Sequence, residues 1–169
     1  VKVLKSDFLT QGPIVSKFEK NISKFVDSKF ALSTNSATSA LHICCISLGL
    51  KSGDIMWTVP NTFVSSANCG VLCNAKVDFV DINPNTYNID ISKLEKKLLD
   101  LKKINRLPKI IIPVHFAGQP TEQEKIYKLS KKYGFYIIED ASHSLGAKRN
   151  NQKVGNCKWS DLTVFSFDP

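Results

Sequence analysis

Short apolar runs alternate with longer amphipathic segments along the whole chain. In the amphipathic segments apolar residues recur every three or four positions, as at Phe18, Ile22 and Phe25, which is the spacing of one helix face. The short runs, such as residues 109–114, are typical of buried strands. Because no repeat, low-complexity tract or Pro/Gly linker interrupts this alternation, the pattern predicts an α/β fold.

Turn residues and capping residues set the boundaries of the predicted elements. Strands are predicted at residues 31–33, 55–59, 76–80, 109–114, 135–139 and 162–167. Helices are predicted at residues 16–26, 36–48, 62–73, 92–103 and 121–133. The pairs Ser92 with Glu95 and Thr121 with Glu124 have the spacing of a capping box. Ser36 is expected to cap the second helix, and glycines 49 and 134 to end the second and last helices.

Strands separated by helices join most readily in a mixed, mostly parallel sheet with helices on both faces. A chain of 169 residues is expected to form one domain, or most of one. Ligands of such sheets bind at the carboxyl ends of the strands. The residues that follow each strand are therefore the candidates for chemistry.

Composition narrows the class of protein. Hydrophobic residues make up 43% and charged residues 22%, which are ordinary values for a globular chain. The net charge of +8 is compatible with an anionic partner. However, the lysines fall on predicted helix faces without interleaved aromatic residues, unlike a nucleic-acid groove. We therefore expect solvated helix faces and no nucleic-acid partner.

Apolar stretches such as residues 41–50 are too short for a membrane span, and the first residues lack the apolar core of a secretory signal. We expect no membrane partner and a cytoplasmic location. The five cysteines form no C-x-x-C pair, so small buried side chains are expected rather than a disulfide framework. Cys69 and Cys73 have the spacing of two ligands on one helix face, but no second ligand pair is nearby, and no metal site is expected.

Polar residues follow the first predicted strand as it enters a helix. The backbone N–H groups of Ala37 and Thr38, with the hydroxyl of Ser36 or Thr38, have the donor chemistry of a phosphate site at a helix N-terminus. The alternative is a purely structural helix cap. The strand ending near residue 167 carries Ser166, whose hydroxyl is a second candidate for a phosphate.

Four further candidates lie beyond other strands. Phe63 either stacks on a planar cofactor or belongs to the core. Asp140 either keeps a pyridinium nitrogen protonated or caps a turn, and His143 follows it by three residues. His115 also falls at the carboxyl edge, where a lone histidine is more often structural. The strand ends together carry complementary parts of one cofactor site.

Several segments together resemble the DegT/DnrJ/EryC1/StrS family of nucleotide-sugar aminotransferases, and the similarity runs along essentially the whole chain. It is carried by Asp7-Phe8-Leu9-Thr10-Gln11-Gly12-Pro13, Asn35-Ser36-Ala37-Thr38-Ser39-Ala40-Leu41-His42, Trp57-Thr58-Val59-Pro60-Asn61-Thr62-Phe63-Val64, Pro113-Val114-His115-Phe116-Ala117-Gly118-Gln119-Pro120, Glu139-Asp140-Ala141-Ser142-His143 and Phe165-Ser166-Phe167-Asp168-Pro169. Residues 66–70 and 75–88 resemble most closely the branch of the family that acts in pseudaminic acid biosynthesis.

The resemblance implies the large domain of a fold-type-I pyridoxal-phosphate-dependent transferase. Residues 1–169 would hold the N-terminal segment and most of the large domain, incomplete at its C-terminus, and a small C-terminal domain would be absent. The implied cofactor is pyridoxal 5'-phosphate. Its implied contacts are Ala37, Thr38 and Ser166 at the phosphate, Phe63 on the ring, Asp140 at the ring nitrogen and His143 at the phenolic oxygen.

The implied reaction moves an amino group from glutamate to C4 of a UDP-linked 4-keto-6-deoxy-N-acetyl amino sugar, in a homodimer. The Schiff-base lysine is expected two positions beyond Pro169, so no catalytic residue is expected within the chain. Asp168 stands where the family more often has His, which bears on the substrate subgroup.

Three classes of alternative function are compatible with some of these features. The first is a pyridoxamine-phosphate-dependent sugar dehydratase, with His in place of the lysine, or a transaminase for another nucleotide-linked keto sugar. The second is a non-catalytic homologue, which the presence of Phe63, Asp140 and Ser166 disfavours. The third is a basic nucleic-acid-binding domain, for which no motif is present.

Overall fold

The computed structural model describes residues 2–167 and is built on a parallel five-stranded sheet. The strands are β1 (Ile55–Thr58), β2 (Lys76–Phe79), β3 (Ile110–Ile111), β4 (Tyr136–Asp140), β5 (Lys148–Arg149), β6 (Gln152–Lys153) and β7 (Leu162–Val164). The helices are α1 (Pro13–Val26), α2 (Ala37–Ser47), α3 (Ser65–Leu72), α4 (Ile91–Lys102) and α5 (Gln123–Tyr133). The sheet order is β2-β1-β3-β4-β7, and every pairing in it is parallel.

Two hydrophobic cores lie on opposite faces of this sheet. Successive strand residues point to opposite faces, so Met56 packs in the core with α2 and α3, whereas its neighbour Trp57 packs with α4 and α5. Ile110 and Ile111 divide in the same way. The predicted mostly parallel sheet with helices on both faces is therefore confirmed.

A short antiparallel hairpin, β5–β6, is an element that the sequence pattern did not predict. Its turn residues, Asn150 and Asn151, both have positive φ angles, of 49° and 58°. Asparagine tolerates this left-handed conformation, and two such residues in succession match the twist of a two-residue hairpin turn. The strands are too short and too polar to give an alternating apolar signal.

The predicted strand at residues 31–33 is wrong, because these residues form no strand. Leu32 is 88% exposed, and the backbone N–H of Ser33 donates to the Glu19 carboxylate rather than to a neighbouring strand. A strand requires a partner backbone for its ladder, and within residues 2–167 this segment has none. An apolar run alone does not supply that partner.

Both predicted capping boxes are also wrong. The N-cap of α4 is Asp90, whose carboxylate accepts hydrogen bonds from the backbone N–H groups of Ser92 and Lys93. Helix α5 has Glu122 at its N-cap without a side-chain cap, and Thr121 instead donates its backbone N–H to His115. The predicted cap at Ser36 is confirmed, because its hydroxyl accepts from the Ser39 N–H.

The predicted glycine stops are confirmed, since Gly49 and Gly134 have φ angles of 73° and 78° just past α2 and α5. Strand β3 is shorter than predicted. Pro113 has no N–H to continue the ladder, although its carbonyl still accepts from the Asp140 N–H. In the described part of the chain, no helix is long and apolar enough to cross a membrane.

Candidate functional site

The carboxylate of Asp140 stands at the end of β4, an interior strand of the sheet, and is buried. Its Oδ2 atom accepts a hydrogen bond from the Ser66 hydroxyl at 2.6 Å. Its Oδ1 atom accepts from the Ser142 hydroxyl at 2.7 Å and from the Ser142 N–H at 3.3 Å. Backbone hydrogen bonds to Pro113 and His115 hold this strand end in place. The carboxylate is thus oriented from both sides.

The N-terminus of α2 lies at the same carboxyl edge of the sheet. Ala37 and Thr38 are its first residues, and their N–H groups have no carbonyl one turn earlier to bond with. The Thr38 hydroxyl lies 2.6 Å from the hydroxyl of Ser65, the first residue of α3. Free N–H groups, a hydroxyl and the positive helix end form a suitable anion site.

Adjacent serines on α3 join these two places. Ser65 contacts Thr38, and Ser66 contacts Asp140. Both serines are buried. Sequence reasoning missed them, although a hydroxyl pair shortly after β1 at the carboxyl edge of the sheet was a signal that could have been used.

The remaining predicted residues lie around this edge. Ala37 and Ser166 line one groove with a volume of about 750 Å³. Phe63 is 73% exposed, which makes its ring available for stacking and argues against the core alternative.

His143 is also exposed, and its backbone carbonyl packs against the turn at Gly118. Asp168 lies outside the described residues.

His115 is placed away from this set. Its side chain is fully buried, and its Nδ1 atom accepts from the Thr121 N–H while Nε2 faces the Glu139 carboxylate at 3.7 Å. Glu139 precedes Asp140 on β4, so its side chain points to the opposite face of the sheet. The structural role that a lone histidine usually has is the one that His115 takes here.

The Glu139 carboxyl is buried with several hydrogen-bond donors. Burial raises its pKa, but the interaction with His115 and hydrogen bonds from Gln123 and Thr163 outweigh that effect and hold the pKa below its usual value. Ser160 also donates to this carboxylate. The Glu139 carboxylate therefore links α5 and β7 to β4, on the face of the sheet opposite to the Asp140 side chain.

The donor and acceptor chemistry of this edge fits pyridoxal phosphate. The N-terminus of α2 and the Thr38 hydroxyl suit the phosphate, and the buried Asp140 carboxylate suits a protonated ring nitrogen. The exposed Phe63 ring suits a planar heterocycle.

Comparisons with known proteins agree with this chemistry. A UDP-4-amino-4,6-dideoxy-N-acetyl-β-L-altrosamine transaminase from Campylobacter jejuni is 44% identical over 99% of this chain and 43% of the relative. Helicobacter pylori PseC, an aminotransferase involved in the biosynthesis of pseudoaminic acid, superposes with a TM-score of 0.88 at 37% identity, over 99% of this chain and 43% of that one.

A putative sugar aminotransferase from Streptococcus pneumoniae, in its PLP form, superposes with a TM-score of 0.85 at 25% identity, over 99% of this chain and 44% of that one. The chain thus spans less than half the length of these relatives. The family match itself covers residues 1–169. This chain belongs to the DegT/DnrJ/EryC1/StrS aminotransferase family.

Proposed function

We propose that the protein containing this chain is a pyridoxal-phosphate-dependent sugar aminotransferase. The observation that carries the proposal is the pairing of the buried Asp140 carboxylate with the α2 N-terminus, joined through adjacent serines of α3. One end of this arrangement suits a phosphate and the other a pyridinium nitrogen. Family membership and the PLP-form relative support the same cofactor.

Each predicted residue has a role in this proposal. Ala37 and Thr38 bind the phosphate through backbone N–H groups and a hydroxyl, and Ser166 is a second phosphate contact. Phe63 stacks on the ring, and His143 lies by its phenolic oxygen. Asp140 holds a proton on the ring nitrogen, and the bound cofactor then supplies an electron sink.

The proposed reaction transfers an amino group from glutamate to C4 of a UDP-linked 4-keto-6-deoxy-N-acetyl amino sugar, in pseudaminic acid biosynthesis. The names of the Campylobacter and Helicobacter relatives support this substrate class. The proposed assembly is a homodimer, and residues 1–169 supply the N-terminal segment and most of the large domain. A lysine two positions beyond Pro169 completes the site and moves the proton at the sugar C4.

The test is turnover by the full-length protein with glutamate and the UDP-linked 4-keto sugar. Mass spectrometry of the sugar should show the keto oxygen replaced by an amino group, with one 2-oxoglutarate formed for each amino sugar. Loss of water from the sugar without glutamate consumption would instead identify the dehydratase alternative. Borohydride reduction and peptide mapping should label the expected lysine, and histidine at that position would favour the dehydratase.

A further inference from the structure

Ser65 and Ser66 are buried hydroxyls that join the two ends of the candidate site but are not among the proposed cofactor contacts. Consecutive residues in the first turn of a helix point in different directions, about 100° apart. Here one hydroxyl reaches Thr38 and the other reaches Asp140, each at 2.6 Å. The two contacts join segments 27 and 74 positions apart in the chain. A single turn of α3 therefore contacts both ends of the candidate site.

The direction of each hydrogen bond follows from the number of hydroxyl protons. A carboxylate only accepts, so the Ser66 O–H donates to Asp140. Ser66 has then used its proton, and in its 2.8 Å contact with Thr62 the Thr62 hydroxyl is the donor. The result is an ordered chain of donors from Thr62 through Ser66 to the carboxylate.

The same rule applies at the other end. The Thr38 hydroxyl has one proton, and donating it to a phosphate leaves only its lone pairs for Ser65. Ser65 must then be the donor in the 2.6 Å contact, which also fixes the rotation of the Thr38 hydroxyl. Both serines are donors when the site is in use.

We propose that Ser65 and Ser66 are positioning residues, Ser65 orienting Thr38 toward the cofactor phosphate and Ser66 orienting Asp140 toward the ring nitrogen. This inference rests on the proposed function. The start of α3 acts as a spacer that sets the separation of the phosphate site from the carboxylate. The two serines act on different ends of the cofactor, so their effects are separable.

The experiment measures dissociation constants of the full-length protein, stripped of cofactor, for pyridoxal phosphate and for pyridoxal, which lacks the phosphate. The variants are Ser65→Ala and Ser66→Ala. The matched control is Ser130→Ala, because Ser130 is equally buried but donates to a backbone carbonyl within α5. Circular dichroism melting of each cofactor-free variant reports on folding independently.

Ser66→Ala should weaken binding of both compounds by the same factor, about fivefold to tenfold, which is the size of one lost hydrogen bond. Ser65→Ala should weaken the binding of pyridoxal phosphate by about fivefold and leave the binding of pyridoxal unchanged. Ser130→Ala should change neither affinity.

The inference is overturned if both serine variants bind within twofold of the wild type, or if Ser65→Ala weakens both compounds equally. It is also overturned if the affinity losses merely follow the loss of melting temperature across all three variants. A wild-type protein that binds neither compound contradicts the proposed function itself, which is a different result from unaffected variants.

Discussion

The hydroxyl of Ser66 donates to Oδ2 of Asp140 across 74 positions of sequence, at a distance of 2.6 Å. Ser66 belongs to α3 and Asp140 ends β4, so this bond joins a helix on one face of the sheet to the carboxyl end of an interior strand. Because Ser142 donates to the other carboxylate oxygen, Asp140 cannot rotate without losing hydrogen bonds.

Asp140→Asn should lower transamination by the full-length protein about a hundredfold, because a neutral amide does not keep the ring nitrogen protonated. The free energy of unfolding should fall by only about 1–2 kcal/mol, because the amide keeps the size of the side chain and its NH2 group mismatches the donors on one side only. Steady-state turnover and urea unfolding measure the two effects. The matched control is Asp100→Asn, an exposed carboxylate on α4. Unchanged turnover in Asp140→Asn contradicts the assignment of the cofactor.

Glu139→Gln should remove a pH-dependent part of the stability. The pKa of Glu139 is lowered in the folded protein, so its ionised form contributes stability above the unfolded pKa of about 4.3. That contribution is lost as the pH falls through the lower, folded pKa. At pH 7 the free energy of unfolding of the variant should be lower by about 3 kcal/mol. The Gln amide group then faces hydroxyl donors, and the buried pair of Glu139 with His115 is broken.

Urea unfolding of the wild type and of Glu139→Gln at pH 7 and at pH 4 measures this difference. The stability gap between them should narrow at the lower pH. Glu95→Gln is the control, because the Glu95 side chain is 45% exposed and its ion pair with Lys132 is long, at 3.5 Å. A gap that is constant with pH would show that the charge of Glu139 does not stabilise the fold.

Asp90→Ala should destabilise the protein by about 1 kcal/mol, because two backbone N–H groups of α4 lose their acceptor. Ser92→Ala should cost less than about 0.5 kcal/mol, since Ser92 lies inside the helix rather than at its cap. Urea unfolding measures the stability of both variants, and their midpoints can be compared directly if the slope of the free energy with denaturant is the same. A larger loss of stability in Ser92→Ala than in Asp90→Ala would support the capping box that the sequence predicted.

Gly118→Ala should reduce cofactor affinity severalfold, whereas Gly134→Ala should not. Both glycines have similar φ angles, 83° and 78°, so both variants carry the strain of about 1 kcal/mol expected of a left-handed alanine. Only at Gly118 would a Cβ meet another group, the His143 carbonyl oxygen at 2.9 Å. The backbone of a proposed cofactor residue must then move. Equal affinities for the two variants would argue against His143 as a contact.

Much of this fold follows from local pattern. The short apolar run of β1 predicts a buried strand, and Gly134 and Ser36 mark helix ends through their own backbone or side-chain chemistry. Asp140 was predicted at a strand end because a parallel sheet places such ends on its binding edge. These features depend only on residues that are close in sequence.

Other features depend on which segments meet. Residues 31–33 have a strand-like composition but no neighbouring strand in the described part of the chain, and the competition between Asp90 and Ser92 for the α4 cap is decided by backbone geometry. The sequence by itself determined the alternation of elements, the two core faces and the acidic strand end. Only the tertiary structure decided that Ser65 and Ser66 would reach Thr38 and Asp140, because hydrogen bonds across 27 and 74 positions depend on sheet order and helix packing, which local periodicity does not encode.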